Sequence, residues 1–118
     1  MVLITNNPRI LSLYREAEWV AGGALEVLTE CRRRVQEGQS LLTHPLLGDI
    51  HLLKNPFRTV IMGEGKEKTD LQSLQWIEDS IARYRSSGPA NGEGILEDYQ
   101  AIDFDLIYCA IAGTPSGR

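Results

Sequence analysis

The chain opens on an apolar run, Val2-Leu3-Ile4, which Asn6-Asn7-Pro8 halts. A short, fully apolar stretch of this kind predicts a buried strand. The halt is also a helix start. Asn7 suits an N-cap, and Pro8 suits the first helical position, where its missing N–H costs nothing. Ile10, Leu13, Tyr14 and Ala17 then recur at helical spacing. Trp19-Val20-Ala21 predicts a second short strand before Gly22-Gly23. From Ala24 to Glu37, Leu25, Leu28, Cys31 and Val35 define one apolar helix face, with Gly38 as its C-terminal cap.

Ser40-Leu41-Leu42-Thr43 predicts a third strand, ended by His44-Pro45. A connection from Leu46 to Arg58 follows, with Gly48, Asp49 and Pro56 as turn formers. Thr59-Val60-Ile61-Met62 predicts a fourth strand, closed by Gly63-Glu64-Gly65. Thr69 to Tyr84 carries the clearest helical stripe, Leu71, Leu74, Ile77, Ile81 and Tyr84, with Thr69 and Gln72 as a capping box. Ser86 to Gly94 is rich in Ser, Gly, Pro and Asn and predicts a flexible loop. Phe104 to Ile111 predicts a fifth strand, and Gly113 to Arg118 a frayed tail.

Strands alternating with helices predict an α/β domain. The expectation is a Rossmann-like layered fold of about five mostly parallel strands, with helices on both faces. One domain would fill residues 1–112, leaving 113–118 as tail. No helix is legible between the third and fourth strands, so the alternation breaks there.

Composition narrows the class. A chain of 118 residues, 42% hydrophobic and 24% charged, is ordinary globular material and too short to divide into two domains with cores of their own. Its net charge of −4 argues against nucleic acid as the main partner. The one basic cluster, Arg32-Arg33-Arg34, is interleaved with Glu26, Glu30 and Glu37, which reads as a solvated helix face, with phosphate or carboxylate binding as the alternative. Cys31 and Cys109 form no Cys-x-x-Cys pair, and buried, reduced thiols are expected. With no membrane-length apolar run and no signal-like start, a cytoplasmic protein outside the membrane is expected.

In an open α/β sheet, ligands bind beyond the carboxyl ends of strands. Three polar clusters are expected there: Thr5-Asn6-Asn7, Thr43-His44 and Gly63-Glu64. Asn6 and Asn7 read either as turn and cap residues or as ligand contacts. His44 titrates near neutral pH and can act as acid or base, which makes it the candidate catalytic residue. The alternative is a hydrogen-bonded turn histidine. Arg58 can clamp a carboxylate or simply lie on the surface. Thr5, Asn6, Asn7, Thr43, His44, Gly48 and Arg58 therefore form the candidate ligand-binding set. No glycine-rich phosphate loop, nucleophile elbow or metal spacing occurs, so neither cofactor nor metal is expected.

Ile4-Thr5-Asn6-Asn7-Pro8, Leu41-Leu42-Thr43-His44-Pro45-Leu46-Leu47-Gly48-Asp49-Ile50, Asn55-Pro56-Phe57-Arg58-Thr59, Asp70-Leu71-Gln72-Ser73-Leu74 and Ile77-Glu78 together resemble the GrdX family. Its members are small proteins associated with clostridial-type glycine, sarcosine and betaine reductase operons. The resemblance implies a setting, an accessory or regulatory role, rather than a reaction. The chain has no selenocysteine and no paired redox cysteines, as an electron-carrying subunit would require.

Three functional readings follow. The first is an accessory protein binding a small anionic molecule or a reductase subunit. The second is an enzyme with His44 as its acid–base group and Arg58 holding a carboxylate. The third is a homodimeric interaction module.

Overall fold

A computed structural model describes residues 1–45, 55–65, 69–87 and 96–113. Among these the element order is β1 (Val2–Thr5), α1 (Pro8–Leu13), β2 (Glu18–Trp19), α2 (Ala24–Gln36), β3 (Thr59–Met62), α3 (Leu71–Ser87) and α4 (Leu96–Gly113). The sheet has three strands in the order β2-β1-β3. β1 runs parallel to β2 and antiparallel to β3.

The expected Rossmann-like domain of about five mostly parallel strands is therefore overturned. Two elements account for it. The stretch from Ser40 to Thr43 makes a single antiparallel bridge, Leu41 to Met62, instead of a strand. Ser40 O accepts from Gly63 N and Leu42 N donates to Ile61 O, so pairing starts. Ile61 N then donates to the Thr43 hydroxyl at 3.3 Å, where a continuing ladder would use the Leu42 carbonyl, and the pairing stops. On the other side, Leu41 N donates to Ser73 Oγ of α3, not to another strand.

The second element is Phe104 to Ile111, which is helical. Apart from Asp105 the run is without charge, too little contrast to show a period, so length has to decide between strand and helix. Here the run is embedded in eighteen residues free of proline, with Glu97 and Asp98 in the first turn, where acidic side chains favour a helix. The bridged stretch at Leu41 and β3 run antiparallel. An antiparallel return needs no crossover, whereas a parallel one does.

Other boundaries shift slightly. β2 is Glu18–Trp19 rather than Trp19 to Ala21. α3 begins at Leu71, so Thr69 and Gln72 are not its cap pair. Asp70 stands in front of the helix instead, its carbonyl accepting from Leu74 N and its carboxylate from Ser73 Oγ at 2.5 Å. α3 also runs on through Ser86 and Ser87, which belonged to the predicted loop; residues 88–94 of that loop and 114–118 of the predicted tail lie outside the described residues. Gly38, at φ +104°, turns the chain out of α2, with its N–H on Val35 O.

Pleating divides the sheet between two cores. Ile4 pairs with Val60 and Val2 with Met62, on the face covered by α2 and α3. Leu3 pairs with Ile61, on the face where Ile10 of α1 and Ile107 of α4 are buried. Each fully buried aliphatic side chain contributes roughly 1.5–3 kcal/mol of transfer free energy. Among the described residues no helix is long and apolar enough to cross a membrane.

Candidate functional site

Strand alternation sends Thr5 to the same face as Leu3, opposite Thr59. The two hydroxyl oxygens lie 2.7 Å apart, and both residues are buried. Thr59 Oγ1 donates to Asp103 Oδ2 of α4 at 2.7 Å. A hydroxyl has one proton to give, so Thr59 accepts from Thr5. Thr5 Oγ1 in turn accepts from Asn7 N at 2.9 Å. The result is a directed chain from the Asn7 N–H through two hydroxyls to a carboxylate.

Asn7 closes the loop. Its Oδ1 accepts from Arg9 N at 3.0 Å, the N-cap bond expected of it. Its Nδ2 donates to Gln100 O and to Asp103 Oδ2, both at 3.0 Å. Asn6 fastens a second set of backbones. Its Oδ1 accepts from Arg58 N at 2.8 Å, and its Nδ2 donates to Gly22 O and Pro56 O at 2.9 Å each. Asn55 joins α4 through Nδ2 to Tyr99 O and holds Phe57 N on Oδ1, each at 2.9 Å.

Arg58 and Asp103 are the two ionisable groups of this rim, each with only 4% of its surface exposed. Burial lowers the proton affinity of the Arg58 guanidinium, and the Asp103 charge opposes that. Burial pushes the Asp103 carboxyl above the ordinary carboxylate range. The hydrogen bonds from Asn7 and Thr59, and then the charge of Arg58, pull it back.

Thr43 and His44 approach the same end of the sheet on the far side of β3, since their segment is antiparallel to it. The His44 ring lies against Trp76 of α3, with centroids 5.3 Å apart and planes tilted by 47°. Burial, followed by the charge of Arg83, depresses its proton affinity, while Asp79 raises it. The structure thus brings Thr5, Asn6, Asn7 and Arg58 together through α4 and the 55–59 segment, and it ties His44 to α3. Gly48 lies outside the described residues, as do Asp49, His51 and Lys54.

Three rim residues escape the sequence reading: Asn55, Thr59 and Asp103. Asp103 was hidden by the strand reading of Phe104 to Ile111. Taken as a helix, Asp103, Ile107 and Ala110 fall on one stripe, which places the carboxylate inward. Cys31 is buried, and its thiol is pushed up to about 12 by desolvation, whereas Cys109 is exposed against expectation. Among the described residues no three His, Cys, Asp or Glu side chains are placed to hold a metal ion.

These features define a small α/β domain with helices on both faces of a three-stranded mixed sheet and a buried polar rim at the carboxyl end of β1. A family model described as GrdX-like protein matches residues 2–112, and the chain belongs to that family. No curated protein and no solved structure matches it.

Proposed function

We propose that this GrdX-like chain is an accessory protein of glycine, sarcosine and betaine reductase metabolism that holds a small anionic ligand at the rim around Arg58. The observation behind this reading is an arginine, Arg58, buried to 4% exposure at the carboxyl end of β1. A buried arginine is a strong charge partner for a carboxylate or phosphate, because little water competes for its donors. Asn6 and Asn7 act as the frame. Their amides fix the Arg58 backbone and α4, and so aim the cation without touching the ligand. Asp103 balances the charge through space.

Thermal denaturation of the intact protein with acetate, glycolate, phosphate and acetyl phosphate, all net anions, tests the proposal. At least one of them is expected to raise the midpoint, and Arg58→Gln to abolish the rise while leaving a cooperative transition. No rise with any of the four, together with no reductase subunit co-purifying with the protein, overturns it.

A further inference from the structure

At the other end of β1, about 10 Å along the strand at 3.3 Å per residue, a cavity of about 330 Å³ opens between Arg34, Gln39 and the Gly63-Glu64-Gly65 turn. Met1 and Val2 form its apolar side, and Glu18 its rim. The volume is at the small end of ligand sites.

We propose that this cavity binds a small zwitterion of the α-amino-acid class, its carboxylate on Arg34 and its ammonium on Glu64 and Gln39. This goes beyond the anion reading above and uses none of its residues.

The charges argue for both ends of such a ligand. Arg34 donates through Nη2 to Glu18, and its Nε stands 3.6 Å from Glu30 Oε1, too far for a hydrogen bond. Glu30 is already held by Arg33, whose Nη2 lies 2.5 Å from it. With Glu64 exposed across the opening, the cavity wall therefore sets the Arg34 guanidinium against two carboxylates, Glu18 and Glu64. A lone anion is repelled by the carboxylates and a lone cation by Arg34. A molecule carrying both charges a few ångströms apart meets a partner for each.

Unsatisfied polar atoms point the same way. Two buried side-chain atoms on this wall have no hydrogen-bond partner: Arg34 Nε, a donor, and Gln39 Oε1, an acceptor. Leaving buried polar atoms without partners is costly, and the cost marks sites where a ligand supplies the missing group. A carboxylate supplies the acceptor and an ammonium the donor, after small rotations of two long side chains that already line the cavity.

The glycines keep the space open. A Cβ on Gly63 would lie 2.9 Å from Ser40 Oγ, so that residue is fixed by the chain packed behind it. A Cβ on Gly65 would meet Gln39 Cγ at 3.9 Å, an ordinary contact. Gly65→Val therefore fills the opening without forcing the fold.

Amide NMR on the full chain tests the proposal with L-alanine as probe, and with propionate and ethylamine as its two halves. L-Alanine is expected to give saturable shifts at Gln39, Gly63, Glu64 and Gly65, with each half binding at least tenfold more weakly. Arg34→Gln and Gly65→Val are each expected to remove the shifts. If Arg34→Gln proves unfolded by circular dichroism, Gly65→Val decides alone. Propionate binding as well as L-alanine makes this a plain anion site, ethylamine doing so makes it a cation site, and no saturable shift makes it no site; each overturns the proposal. Anion binding at the Arg58 rim moves the amides of Asn6, Asn7 and Arg58 instead, so the two readings fail separately.

Discussion

On the face covered by α2 and α3, Ile4, Val60 and Met62 meet Leu28, Cys31 and Ile77, and all of these side chains are buried. On the face covered by α1 and α4, four buried apolar side chains, Leu3, Ile10, Ile61 and Ile107, share the space with two threonine hydroxyls and the Asp103 carboxylate. The first face is stabilised by area, which tolerates small shifts of position. The second depends on direction, because each hydroxyl has a single proton and each bond fixes the next. One sheet thus has a robust side and an exacting side, and the exacting side carries the rim.

The largest effect is expected on the apolar face. Leu28→Ala should cost about 2–5 kcal/mol, transfer plus cavity, read as a lowered urea midpoint with little change in slope. Asp103→Ala comes next. It leaves the Asn7 and Thr59 donors without their carboxylate, at roughly 1–3 kcal/mol for a buried unsatisfied group. If Asp103→Ala is neutral while Leu28→Ala is costly, the directed chain contributes nothing and the contrast between faces fails.

Asp103→Asn sharpens the point through pH. Burial makes the folded-state carboxyl harder to ionise than the unfolded one. Over the window from the ordinary carboxylate range upward, the folded state therefore binds more protons. Stability from this group is full below that range and declines as pH rises through the folded-state value. The wild-type thermal midpoint should fall across that window, and Asp103→Asn should remove this part of the slope. The smallest effect belongs to the hydroxyl pair. Thr5→Val and Thr59→Val, singly and together, should show a coupling of about 1 kcal/mol in a double-mutant cycle. Additive costs would mean that the 2.7 Å contact carries no energy of its own.

How much of this is legible in the sequence depends on how far apart the partners lie. The strands at Val2 and Thr59 announce themselves as short apolar runs, the helices around Leu28 and Ile77 by local period, and the start of α1 by the Asn7 cap and Pro8. α4 does not, because Phe104 to Ile111 is apolar apart from Asp105 and its exposed large side chains, such as Tyr108 at 53%, look no different from its buried ones. With α4 read as a strand, the inward position of Asp103 disappears, and half the rim with it. The antiparallel sense of β3 is hidden for a similar reason. It is set by pairing with β1, from Val2 opposite Met62 to Thr5 opposite Thr59, between residues remote in sequence. His44 is conspicuous by its chemistry, but its ring contact with Trp76, thirty-odd positions away, has no local trace.

The bonds from Asn7 to Gln100 and Asp103 span 93 and 96 residues. A growing polypeptide leaves the ribosome amino end first, at about 5–20 residues per second, so β1 and its asparagines wait several seconds for the helix that completes them. During that interval the α2–α3 layer is able to gather, while Arg58 lacks its countercharge. The rim around that arginine is thus assembled last among the described elements, by α4, and a translation product interrupted before it would carry Asn6, Asn7 and Asn55 and still not present the rim.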